Sequence, residues 1–120
     1  ANMLLTASSV ALLAGTLSFM PTSSAVAADA SSLEKGKTLA FDRKKGNCLA
    51  CHMIAGGDLP GNIGPPLVAM KARFPDRAVL RAQIYDARKK NPNTIMIPFG
   101  PHAVMSDSEI DLVTDFIHTL

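Results

Sequence analysis

The chain has 120 residues and its first charged residue is Asp29, so the part able to fold as a charged domain is residues 28–120. The 12 Lys and Arg against 10 Asp and Glu leave a formal charge of only +2, a mild excess that argues against nucleic acid as a partner. With one Tyr, four Phe and no Trp in residues 28–120, a domain of this size has only a marginal core of its own, the situation in which a disulfide, metal or cofactor supplements packing.

Residues 1–27 are expected to be an export signal. The apolar run 10–20 (VALLAGTLSFM) is shorter than the roughly 20 residues a bilayer span needs. It has the length of a signal-peptide core, and Ala25, Val26 and Ala27 put small residues where a signal peptidase reads. No Lys or Arg precedes the run and no Met opens the chain, so a truncated start is part of this expectation. After cleavage near Ala27 no membrane attachment is expected. A buried helix or an uncleaved anchor is the alternative.

Ser31 and Glu34 have the spacing of a capping box and predict a helix from there to about Phe41. Gly36 inside it costs about 1 kcal/mol against Ala, which calls for a packing reason such as another helix crossing closely. Residues 42–47 read as a polar turn leading to two cysteines. The Gly- and Pro-rich stretch 55–66 (AGGDLPGNIGPP) excludes helix and strand interiors. Residues 67–73 predict a short helix ended by Phe74-Pro75, because the residue before proline is pushed out of helical geometry.

Asp76 caps a predicted helix running to about Lys89, with Val79, Leu80, Ile84 and Ala87 on one side and Arg77, Arg81 and Arg88 on the other. Residues 91–105 form a second loop, apolar enough to pack against something. Ser106 and Glu109 open the last helix with another capping box, and Ile110, Val113, Ile117 and Leu120 make its buried stripe. No strand pattern is evident, so the fold class is all-α.

Cys48-Leu49-Ala50-Cys51-His52 is the c-type haem attachment motif. Two residues between the thiols let one turn present both sulfurs to the vinyl edges of a porphyrin as thioethers, and the adjacent histidine then falls under the iron. Three other readings compete. A structural zinc site needs four ligands, and only His52, His102 and His118 remain to complete one. A thioredoxin-like pair belongs in a βαβ pattern. A disulfide over so short a loop would constrain little of the unfolded chain. One covalent haem c is therefore expected on Cys48 and Cys51, with His52 as proximal ligand. CxxCH together with Gly64-Pro65-Pro66-Leu67 resembles the class I cytochromes c, and that resemblance implies their fold, with N- and C-terminal helices packed together around the haem.

Candidates for the sixth ligand are Met53, Met70, Met96, Met105 and His102. Met53 follows the proximal histidine too closely to reach the other haem face. Met70 suits a core role, and Met105 occupies the position that staples onto Ile110. Met96, in the middle of the second loop beside Pro98 and Gly100, is the preferred ligand, with Met105 and His102 left open. Histidine and methionine together raise a haem's potential relative to two histidines, which suits electron transfer. The second ring nitrogen of His52 needs an acceptor, and the Pro65 carbonyl is the candidate.

KGNCLACH (45–52), LPGNIGPPL (59–67), the run 70–84, NPNTIMIPFG (91–100) and the SDSEI start of the last helix together resemble the SoxX family, the monohaem cytochrome subunit of the SoxAX complex of bacterial sulfur oxidation. The similarity runs from about Leu33 to Leu120. It implies that Met96 is the distal ligand, although the family usually has proline directly after it and Ile97 stands here. It further implies a periplasmic heterodimer with a SoxA-type cytochrome. That complex couples thiosulfate oxidatively to a cysteine of the SoxYZ carrier, an L-cysteine S-thiosulfotransferase activity, and passes electrons to another cytochrome c. No residue here supplies the catalytic thiolate, so the chain's part is to accept electrons.

The alternative is a freely diffusing class I cytochrome c outside any enzyme. Arg73, Arg77, Arg81, Arg88, Lys89 and Lys90 would then steer an acidic partner, or simply form a solvated face. A haem-based gas sensor would need an open sixth position.

Overall fold

The computed structural model describes residues 28–120, so the expected export signal lies outside the described residues. Among the described residues four α-helices carry the fold: α1 (Ala30–Phe41), α2 (Met70–Arg73), α3 (Arg77–Tyr85) and α4 (Asp107–His118). Short 3₁₀ turns follow at Cys48–Ala50 and Ala87–Lys89, and no strand occurs among the described residues. The all-α arrangement expected from the sequence, with first and last helices packed together, is the one observed.

Helix α1 begins earlier than Ser31. Asp29 is its cap, and its carboxylate accepts from the Ser32 N–H at 2.8 Å. Aspartate caps as well as serine does, and its negative charge also suits the positive end of the helix dipole. The Gly36 expectation has its reason in α4: a Cβ at Gly36 would stand 2.1 Å from the Leu112 carbonyl oxygen. The two helix backbones touch there, and no side chain fits between them. One turn further on, Phe41 meets Phe116 edge to face, with ring centroids 6.0 Å apart.

Helix α3 opens on Asp76 as expected, its carboxylate accepting from the Ala78 N–H at 2.8 Å. It ends at Tyr85, four residues short of Lys89. The cause is Asp86, whose backbone is extended (φ −154°, ψ 90°) and whose buried carboxylate accepts from the Arg88 N–H at 3.2 Å. Both oxygens also receive the Arg88 guanidinium, at 2.8 and 3.0 Å. A local side-chain cap of this kind competes with continuation of the helix. Leu80, Ile84 and Ala87 are buried as the stripe predicted, whereas Val79 faces solvent.

Two arginines expected on a solvated face are bound to α4 instead. Arg77 pairs with Asp115 and Asp111, and Arg81 with Asp111 at 2.7 Å and Asp107 at 3.0 Å. The capping box of α4 is complete: Ser106 Oγ accepts from the Glu109 N–H at 3.2 Å, and the Glu109 carboxylate accepts from the Ser106 N–H at 2.8 Å. Ile110, Val113 and Ile117 are buried beneath it. Helix α2 is shorter than expected, starting at Met70 after Ala69 in left-handed geometry (φ 52°). Its first N–H donates to the carbonyl of Leu120 at 2.8 Å, which ties α2 to the C-terminal end.

Candidate haem site

The cysteine segment is delivered by a tight turn off α1. The Gly46 N–H donates to the Leu39 carbonyl at 3.0 Å. Asn47 then takes a left-handed conformation (φ 46°, ψ 37°), which asparagine tolerates better than most residues. The 3₁₀ turn that follows closes with the Cys51 and His52 N–H groups both donating to the Cys48 carbonyl, at 3.2 and 2.9 Å. Cys48, Cys51 and His52 consequently face one cavity.

A second segment braces this turn. The Gly61 N–H donates to the Leu49 carbonyl at 2.7 Å, Gly64 to Cys51 at 2.8 Å and Leu67 to Met53 at 2.9 Å. The 61–67 stretch thus runs along the 49–53 stretch, and both glycines in it are needed for the approach. A Cβ on Gly61 would stand 2.1 Å from the Ala50 carbonyl oxygen, and one on Gly64 would stand 2.4 Å from His52 Cε1. Between them the His52 ring is fixed: Nδ1 lies 2.7 Å from the Pro65 carbonyl oxygen. A carbonyl can only accept, so Nδ1 carries the proton and the lone pair of Nε2 is left for a metal.

The cavity measures about 310 Å³ and its remaining walls come from the rest of the fold. Met70 and Phe74 line it from the α2 region, Leu80 and Ile84 from α3, and Val113 and Ile117 from α4. Thr94, Ile95, Met96, Ile97 and Phe99 line it from the second loop. A largely apolar cavity with one histidine and two thiols at a wall fits a porphyrin held by thioethers. Burial pushes the Cys48 thiol up to about 11. Disulfide exchange needs the thiolate, whereas a thioether carries no charge for burial to oppose.

Of the five residues considered for the sixth position, two line the cavity. Met96 is half-buried there, its N–H donating to Thr94 Oγ1 at 3.2 Å. Met70 is fully buried, and its sulfur already accepts from the Arg73 guanidinium at 3.3 Å. Met105 is buried away from the cavity walls, and Met53 and His102 are exposed. His118, the other histidine a zinc site would have drawn on, has Nε2 2.8 Å from the Phe74 carbonyl oxygen.

Residues 33–120 match the cytochrome c family. The chain belongs to that family. It is a class I c-type cytochrome with covalently bound haem c, and its role is electron transfer. When bound, the haem supplies a one-electron iron couple; the protein's part is to hold it, orient the histidine and keep water from most of its surface. The chain is also 34% identical, over 79 residues, to an uncharacterized lipoprotein of Aquifex aeolicus (strain VF5). That match covers 62% of this chain and 37% of the relative, so the chain spans little more than a third of that protein's length.

Sequence reasoning overlooked several cavity residues. Gln83, beside Ile84 on α3, and Arg73 both reach the wall. Thr94 was legible in principle, since a threonine two residues before a loop methionine can accept from its N–H. The stretch Gly64 to Leu67 was legible as the partner of the His52 ring, though not that a Cβ at Gly64 would meet that ring.

Proposed function

We propose that this cytochrome is the electron-accepting, monohaem subunit of a periplasmic SoxAX complex, a SoxX. In this reading Cys48 and Cys51 form the two thioether links, His52 is the proximal ligand held by the Pro65 carbonyl, and Met96 is the distal ligand. The observation that carries it is the convergence of two stretches behind the SoxX resemblance. Ile63, Gly64, Pro65 and Leu67 from one, and Thr94 through Ile97 with Phe99 from the other, line a single cavity against Cys48, Cys51 and His52.

Encounter with a diffusing partner is steered by charge. Three of the arginines that might have done the steering, Arg77, Arg81 and Arg88, are paired within the chain. Electrons released as thiosulfate is joined to the SoxYZ cysteine would reach this haem through the SoxA-type subunit and leave to another cytochrome c. Export fits a c-type cytochrome with a lipoprotein relative.

The test is purification from cells grown on thiosulfate. A second, SoxA-type cytochrome in equal amount, with thiosulfate-dependent reduction of this haem in the presence of SoxYZ, is the expected result. Recovery as a lone monomer that thiosulfate and SoxYZ leave oxidised would favour the free carrier.

A further inference from the structure

The loop that carries Met96 has two feet, and both stand on residues 85–87. At one end the Asn91 N–H donates to the Ala87 carbonyl at 3.1 Å; at the other the Gly100 N–H donates to the Tyr85 carbonyl, also at 3.1 Å. Between the feet, Thr94 bonds back to Asn91 and Met96 to Thr94, so those hydrogen bonds stay within the loop. The middle of the loop, Ile95 through Ile97, lines the cavity.

The second foot is the tighter one. Gly100 lies flat against the Tyr85 ring, so that a Cβ there would stand 2.0 Å from Cε2 and 2.4 Å from Cζ. The ring is itself held, with the Arg81 guanidinium 5.8 Å from its centroid and Arg81 tied to Asp107 and Asp111 of α4. Tyr85 is not among the cavity walls. Whatever it does for the haem, it does through Gly100.

We propose that Tyr85 is a positioning residue for Met96: its ring and carbonyl clamp Gly100, four residues after the methionine, and so hold the thioether at the iron. The inference rests on the reading of Met96 as distal ligand. A clamped loop has already given up the freedom that ligation would otherwise have to remove. When the clamp is released, the fraction of molecules with methionine off the iron rises, and an external ligand competing for that position binds tighter in proportion.

The experiment is imidazole titration of the ferric holoprotein, followed by loss of the long-wavelength absorption of methionine-bound haem. Tyr85→Ala should bind imidazole about tenfold tighter than the parent. Tyr85→Phe keeps the ring and should restore the parent affinity. Gly100→Ala, which cannot lie on the ring, should move affinity the same way as Tyr85→Ala, and it decides the matter should Tyr85→Ala not fold. Independently of the haem, the Gly100 amide should exchange with solvent faster in Tyr85→Ala while the Val113 and Ile117 amides keep their protection. Met96→Ala separates the two claims. If it retains the parent spectrum, the distal assignment fails and this inference with it. If it loses the band while Tyr85→Ala and Gly100→Ala keep the parent imidazole affinity, the assignment stands and the role of Tyr85 is overturned.

Discussion

Replacing Gly64 with alanine should displace the His52 ring. A Cβ there would lie 2.4 Å from His52 Cε1 and 2.6 Å from Nδ1, whereas carbon atoms rest at about 3.5 Å or more. The ring must retreat by about 1 Å, the difference between those contact distances. Its bond to Pro65, now 2.7 Å, cannot survive such a displacement away from the 64–65 backbone. Losing the hydrogen bond costs about 1 kcal/mol net, and the strain of overpacking adds about 1–3 kcal/mol. A total of about 2–4 kcal/mol should lower the melting temperature of the holoprotein by at least about 8 °C for a domain of this size. The reduction potential should move too, because the carbonyl no longer raises the basicity of the ligand. Gly56→Ala is the control: its φ is +79°, so it carries backbone strain, but nothing lies within 4 Å of its Cβ. It should lower the melting temperature modestly and leave the potential unchanged. If Gly64→Ala melts and titrates like Gly56→Ala, the bracing of His52 by the 61–67 stretch is wrong.

Met96→Ala should remove the long-wavelength absorption of the ferric protein and lower its reduction potential, measured by spectroelectrochemistry, since thioether ligation raises it. Gly36→Ala sets a methyl 2.1 Å from the Leu112 backbone oxygen, where no side chain can yield; overpacking costs typically about 1–3 kcal/mol and here should reach the upper end, read by thermal melting. The Arg81 hydrogen bond, with the charges of Arg81 and Arg77, holds the Asp111 carboxyl below its ordinary 3.8. The unfolded chain therefore takes up that proton first on acidification, so the contribution is complete above the unfolded value and lost as pH falls through the lower folded one. Acid melting curves of Asp111→Asn should be shallower below about pH 4 than those of the parent, with the gap narrowing at high salt.

What was legible in the sequence was local. Cys48, Cys51 and His52 are adjacent enough for spacing alone to imply how they face a porphyrin, and Pro65 and Met96 were picked out by the chemistry of their neighbours; all five line one cavity. Ser106 and Glu109 specify their own helix start because both halves of the box lie within one turn. Gly36 announced a close crossing by its cost, though not that the neighbour would be Leu112. The misses depend on competition or on distance. Asp29 and Ser31 are both good caps two residues apart, and sequence alone does not rank them. Asp86 ends α3 because Arg88 turns back on it, a local alternative to helix that the apolar stripe through Ala87 conceals. Arg77 and Arg81 read as a solvated face because their aspartates lie some thirty residues away on α4.

The central claim is that Cys48 and Cys51 carry a haem through two thioether links. A mass spectrum of the proteolysed holoprotein tests it most directly. The peptide containing residues 48–52 should carry the mass of one haem and leave no thiol open to alkylation. A peptide at its unmodified mass with both cysteines alkylated would contradict the account.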